Sequence, residues 1–158
     1  MVPPLFLFFA LLTRRLPSTG PTIPTLSNGT DLYHPTTLLI SLDGFKPSYL
    51  SSHPHLLPHL LALGNSSLGI RAESIQPCFP TQTFPNHWSI MTGLYPESHG
   101  IVSNEFWDPE RGEEFVCTKE DKSWAGGWWW GEPLWSVAER AGRRTANIMW
   151  CVKLFGHI

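Results

Sequence analysis

Apolar and polar positions fall along the chain in blocks that predict a β-α-β-α order. Residues 37–42, Thr-Leu-Leu-Ile-Ser-Leu, form an apolar run closed by Asp43-Gly44. This is the pattern of a strand buried in a parallel sheet, with a carboxylate delivered at its C-terminal end, the edge where ligands bind in open α/β sheets. A Leu-rich segment predicts a helix over 56–63, residues 69–75 predict a second strand, and 84–92 a second helix. A short extended piece is expected over 100–106. Residues 108–131, with Gly126-Gly127 and Trp128-Trp129-Trp130, read as an irregular excursion. In the last predicted helix, 134–141, Leu134, Val137, Ala138 and Ala141 recur at i, i+3, i+4 and i+7 and define one buried face, with Gly142 at its stop. Residues 144–150 look like the next strand. The class this order implies is α/β.

The chain's ends depart from this pattern. Residues 5–12 are an apolar stretch too short for a membrane span of about 20 residues and close to a signal-peptide core in length. Its positive flank, Arg14-Arg15, follows the run instead of preceding it. Residues 1–16 therefore read as a signal peptide, the remnant of a signal anchor with N-terminal membrane association, or a wrongly chosen start. Residues 17–35, rich in Pro, Ser, Thr and Gly, read as a flexible stalk. Two sequons, at Asn28 and Asn65, fit entry to the secretory pathway as N-glycan acceptors. The three cysteines leave an odd count and form no Cys-x-x-Cys motif.

Composition narrows the function classes. Of 158 residues, 42% are apolar and 15% charged, with a formal charge of −2 and no basic patch beyond Arg14-Arg15 and Arg143-Arg144. That gives no electrostatic case for a nucleic-acid partner. Fifteen prolines and eight tryptophans point to a loop-rich protein with a large aromatic content, not a helical bundle. The tryptophan run reads as packing against the domain more readily than as a binding platform, since no cation partner is evident in the sequence.

The candidate chemistry lies in Pro80-Thr-Gln-Thr-Phe-Pro-Asn-His87 and Thr92-Gly-Leu-Tyr-Pro-Glu-Ser-His-Gly-Ile101. Thr83 precedes Phe84-Pro85, and proline is favoured in a first helical turn, so Thr83 reads as a helix N-cap with free amides beside it that face an anion. A threonine hydroxyl at the positive end of a helix dipole is placed to meet a phosphate; an ordinary capping threonine is the alternative. Asp43 is either a hard-oxygen metal ligand or the first residue of a turn with Gly44.

Leu42-Asp-Gly-Phe45, Phe79 to His87 and Thr92 to Asn104 together closely resemble the nucleotide pyrophosphatase/phosphodiesterase family of the alkaline phosphatase superfamily. The resemblance runs from about Thr36 to Trp150 and includes Gly131-Glu-Pro-Leu-Trp-Ser-Val-Ala-Glu139. It implies the N-terminal portion of a mixed, mostly parallel sheet flanked by helices over residues 36–150, followed by an aberrant tail over 151–158. It also implies hydrolysis of phosphodiester or pyrophosphate bonds of nucleotides or related substrates, with two zinc ions and a threonine nucleophile. Carried over by residue, Thr83 is the nucleophile and a zinc ligand, Asp43 is a zinc ligand, Asn104 binds a phosphoryl oxygen, and Phe84 and Tyr95 line the substrate pocket. The family's further ligands, an Asp-x-x-x-His, an Asp-His pair and a later His, are not found in these residues. The expectation is accordingly a truncated chain that is inactive alone, or a non-catalytic remnant of the same fold. A sulfatase-like reading is weak, because no Cys/Ser-x-Pro-x-Arg surrounds Thr83.

Overall fold

The computed structural model describes residues 8–11, 26–30, 32–33, 35–67, 69–124, 127–148 and 150. Most of the segment expected as a signal or anchor, much of the stalk, and the 151–158 tail with Cys151 lie outside the described residues. The chain divides into two compact units, Phe6–Ile75 and a second that runs from Gln76 onward.

In the first unit, β1 (Phe8–Leu11) pairs antiparallel with β4 (Leu39–Leu42), Phe8 opposite Leu42 and Leu11 opposite Leu39. Between them β2 (Leu26–Ser27) and β3 (Leu32–Tyr33) form a two-residue ladder. The strand expected over 37–42 is present as β4, but its partner is antiparallel and Ile40 is 49% exposed. A buried parallel strand needs neighbours on both edges and helices on both faces, and among the described residues β4 has one partner strand. The helix expected over 56–63 appears two residues later. α1 (Tyr49–Ser52) and a 3₁₀ turn (Pro54–Leu56) lead into α2 (Pro58–Asn65), which starts where Pro58 can take the first helical position. Residues 69–75 form no strand.

The second unit is built on α3 (Thr83–Thr92). Gly93 ends that helix in the left-handed region, φ 71°, and its N–H donates to the Ser89 carbonyl at 2.8 Å. α4 (Pro96–His99) follows and ends in the same way on Gly100, φ 82°. There a Cβ would come within 3.2 Å of the Trp128 carbonyl, so the site favours glycine on both counts. β5 (Glu105–Asp108) and β6 (Glu113–Val116) make an antiparallel hairpin, and α5 (Glu120–Ser123) and α6 (Leu134–Arg140) complete the unit. The expected irregular excursion thus contains half a hairpin and a helical turn. The Glu113-Glu114 pair hides β6, because its apolar half is only Phe115-Val116, both buried. Residues 144–148 and 150 form no strand.

The core gathers aromatic rings around Trp88. Its ring meets Trp129 edge-on at 5.0 Å and Trp135 at 5.9 Å, and its indole N–H donates to the Trp130 carbonyl at 2.7 Å. Phe115, fully buried, stacks on Phe106 at 5.0 Å and meets Trp128 and Trp129 edge-on. Trp128 and Trp129 therefore pack inside the unit. A cation partner does exist: the Arg111 guanidinium lies 4.2 Å above the Trp128 ring. The helix face expected to be buried on α6 is largely exposed instead, with Leu134 at 54% and only Ala138 partly covered, and the helix docks through Trp135. One indole buries more apolar area than any single aliphatic residue of the expected face, and in Trp88 it finds an aromatic partner. The α/β class expected from the sequence holds for the chain, with helices and short strands of an alkaline-phosphatase-like α/β domain.

Trp88→Ala should lower unfolding stability by about 3–5 kcal/mol, the usual loss for truncating a buried indole. Urea titration followed by fluorescence of the other tryptophans measures it, and a loss under 1 kcal/mol would show that the ring cluster is not the core.

Candidate active site

The start of α3 carries the site. Gln82 holds the N-cap position with extended backbone, φ −130° and ψ 160°, and Thr83 is the first helical residue. This corrects the expected cap by one position, and the difference decides what happens to the helix amides. The Phe84 N–H donates to Asn104 Oδ1 at 3.0 Å, Pro85 has no N–H, and the Asn86 N–H returns to the Gln82 carbonyl at 3.3 Å. The first turn is thus not an open cradle of amides, because a side chain from twenty residues downstream has taken the donor that matters.

Asn104 is held from two sides. Its N–H donates to Gln82 Oε1 at 2.6 Å, its carbonyl accepts from the Cys117 N–H at 2.9 Å at the end of β6, and neighbouring Ser103 donates its hydroxyl to the same Gln82 oxygen at 2.9 Å. With Oδ1 committed to Phe84, the Asn104 group left to donate is Nδ2–H₂. The structure therefore brings Thr83, Phe84 and Asn104 together at one helix end. The Phe84 ring is half-buried, with its centroid 6.1 Å from that of Trp129. Tyr95 is 68% exposed and caps α4 with its backbone. Asp43 belongs to the first unit, at the exposed turn after β4, where Gly44 has φ 71°. Asn28 and Asn65 are both exposed, and Asn28 Oδ1 accepts from the Thr30 N–H at 2.9 Å.

Asn86 and His99 brace the helix and carry no signal as site residues in the sequence. The Asn86 amide uses both ends: Oδ1 accepts from the Cys78 N–H at 2.9 Å, and Nδ2 donates to the Pro80 and Gln82 carbonyls at 3.0 and 2.8 Å. It ties the 78–82 segment to the helix it precedes. His99 is fully buried. The Ile101 N–H can only donate, so His99 Nδ1 accepts it at 3.1 Å, and the proton sits on Nε2, facing Ser89 Oγ at 2.9 Å and the Pro85 carbonyl at 3.2 Å. Burial pushes the His99 pKa below its ordinary value, against the raising effect of its backbone hydrogen bonds and of Glu97. His87 Nδ1 donates to the Thr83 carbonyl at 2.7 Å. His53, His55 and His59 are exposed.

Zinc meets too few donors here. Among the described residues no three His, Cys, Asp or Glu side chains gather where they could hold a metal ion. Asp43, in the first unit, and Thr83, in the second, each offer one oxygen, against the four ligands that a tetrahedral zinc takes. Among the same residues no helix is long and apolar enough to cross a membrane.

A family model described as type I phosphodiesterase / nucleotide pyrophosphatase matches residues 37–156. The chain is 46% identical over 131 residues to an uncharacterized pyrophosphatase/phosphodiesterase of Schizosaccharomyces pombe, covering 80% of this chain and 25% of that protein. It is 42% identical over 116 residues to ectonucleotide pyrophosphatase/phosphodiesterase family member 1 of Homo sapiens, covering 73% of this chain and 12% of that protein. Family member 3 of Bos taurus is 37% identical over 127 residues, 80% of this chain and 14% of its own length. The chain spans a quarter or less of the length of these relatives.

Because the folded state resists protonating His99, stability should be full above about pH 6.5 and fall as the pH drops below it, where the unfolded chain takes up the proton that the folded chain refuses. Denaturant midpoints between pH 5 and 8 test this against His99→Asn, which keeps an acceptor for the Ile101 N–H and should lose that part of the slope. An identical pH slope in the two proteins would mean that His99 does not titrate on unfolding.

Proposed function

The chain belongs to the type I phosphodiesterase / nucleotide pyrophosphatase family, and from that premise we propose that it serves the hydrolysis of phosphodiester or pyrophosphate bonds in nucleotides or related small molecules, with Thr83 as nucleophile. The observation that carries the reading is the joint placement of Thr83 and Asn104 by the Phe84 N–H to Asn104 Oδ1 bond. Thr83 Oγ attacks phosphorus as its proton passes to solvent water, a P–O bond forms to the threonine, and the bond to the leaving oxygen breaks, that oxygen keeping the electron pair and taking a proton from water. Water then attacks the same phosphorus and releases Thr83. Asn104 Nδ2–H₂ donates to a non-bridging oxygen, where negative charge grows in the transition state. Phe84, beside the nucleophile, offers a ring edge to a base or leaving group, and Tyr95 is assigned to the same pocket.

Zinc enters this reading through Asp43 and Thr83, as two donors of sites that require others. The ecto- prefix in the names of two relatives supports a secretory-pathway chain, extracellular or membrane-anchored, with Asn28 and Asn65 as glycan acceptors. The shortage of metal donors among the described residues favours a second reading for the chain by itself, that of a non-catalytic remnant which keeps the fold for binding.

The test is an acid-quenched reaction with a p-nitrophenyl nucleotide ester and added zinc, digested and weighed. A nucleotidyl adduct on the Thr83 peptide, absent in Thr83→Ala, is the expected result. Turnover retained by Thr83→Ala would sink the nucleophile assignment, and neither adduct nor turnover in the unsubstituted chain would select the non-catalytic reading. Thr83→Ala should change folding stability by less than about 1 kcal/mol, since it is the first helical residue and not the cap.

A further inference from the structure

Gln82 has the geometry of a clamp. A helix N-cap ordinarily turns its side chain inward to a first-turn amide, but the Gln82 side chain makes no such bond. It reaches outward, and its one carbonyl oxygen accepts both the Ser103 hydroxyl at 2.9 Å and the Asn104 N–H at 2.6 Å. The capping bond it leaves unmade comes from the other side of the contact, where Asn104 Oδ1 accepts the Phe84 N–H at 3.0 Å. The exchange is reciprocal, as in a capping box, yet its two members are twenty-two residues apart. It is a tertiary contact, and it works as a ruler between helix and turn.

Gln82 is itself immobilised on its backbone side. Its N–H donates to the Pro80 carbonyl at 2.8 Å, and its carbonyl accepts from the Asn86 N–H and from Asn86 Nδ2. The peptide that carries the clamp is thus continuous with Thr83 and cannot shift without breaking the buried Asn86 amide's bonds. Because Oδ1 of Asn104 is spent on Phe84, the orientation of its amide plane is set, and Nδ2–H₂ is presented on the side away from the helix amide. Without the Gln82 oxygen, the Asn104 N–H and the Ser103 hydroxyl lose their acceptor, and the side chain keeps its bond to Phe84 only by its own rotamer.

We propose that Gln82 is a positioning residue: through the two bonds of its side-chain oxygen it holds Asn104 in register with Thr83, so that the Asn104 amide donates to a phosphoryl group while its oxygen caps the nucleophile helix. The proposal rests on the reading of Thr83 and Asn104 given above. It requires at residue 82 a side chain of glutamine length with an acceptor oxygen. Methionine matches the length without the acceptor, and glutamate keeps both.

Amide hydrogen exchange and side-chain NH₂ signals by NMR, on the full chain, decide it. In Gln82→Met the Phe84 and Asn104 amides should exchange about tenfold faster, with Trp88 and Met91 unchanged as reporters of an intact helix. Gln82→Glu should restore protection. The Asn104 NH₂ pair should shift with added inorganic phosphate, and half-saturation should rise roughly tenfold in Gln82→Met. Asn104→Asp, which keeps the acceptor but not the donor, should leave Phe84 protected and abolish phosphate binding. Unchanged exchange at Phe84 in Gln82→Met would overturn the clamp. If phosphate fails to move the Asn104 signals while exchange behaves as expected, the clamp stands and the phosphoryl reading falls.

Discussion

The bond from the Phe84 N–H to Asn104 Oδ1 is the interaction on which the second unit's site depends. A helix start has backbone donors that must be satisfied by a cap, by water or by a ligand. In α3 one position is proline and the N-cap side chain faces away, so the Phe84 donor is filled from another element. Filling it from Asn104 joins the helix start to the turn before β5. The carbonyl of Asn104, bonded to Cys117, then ties that turn to the end of β6. A local shortage of hydrogen-bond partners thereby becomes a long-range constraint, which a cap taken from Gln82 itself could not supply.

The same helix serves three purposes at three depths. Its first residue presents the candidate nucleophile, its middle places Trp88 at the centre of the aromatic core, and its buried polar face carries Asn86 and His87. Behind it His99 links the Ile101 N–H to Ser89, and Ser89 lies 3.5 Å from the Cys78 sulfur, which in turn donates to Asn86 Oδ1. These groups have partners, and an unpaired polar group at that depth would cost free energy. The rings determine how deeply the helix sits, and the polar chain determines its rotation. Hydrophobic burial has no direction, whereas hydrogen bonds do.

The residues that sequence reasoning did not single out, Gln82, Asn86 and Ser103, share a reason. Each acts through a group of another segment, a backbone group for Asn86, a side-chain oxygen for Ser103 and both kinds for Gln82, and which groups will meet leaves no mark in a sequence. Gln82 lies directly before Thr83 and Asn86 in the helix's first turn, so their positions were visible; their partners at 103–104 and 78–80 were not. β6 was hidden for a related cause, since Phe115 and Val116 are too short an apolar signal to stand out from Glu113-Glu114 without the β5 ladder beside them.

What the sequence determined by itself is local and chemical. The motif placing Thr83 before Phe84-Pro85, the end of that helix at Thr92, and the Asp43-Gly44 turn after an apolar strand all follow from steric and hydrogen-bonding preferences within a few residues. The family follows from the same motifs. Tertiary structure alone decided which residue caps α3, which side of α6 is buried, and what β4 pairs with. Each of those outcomes is a competition between partners distant along the chain. The winner is set by the area buried and the hydrogen bonds satisfied once the segments meet, and neither quantity exists until they do.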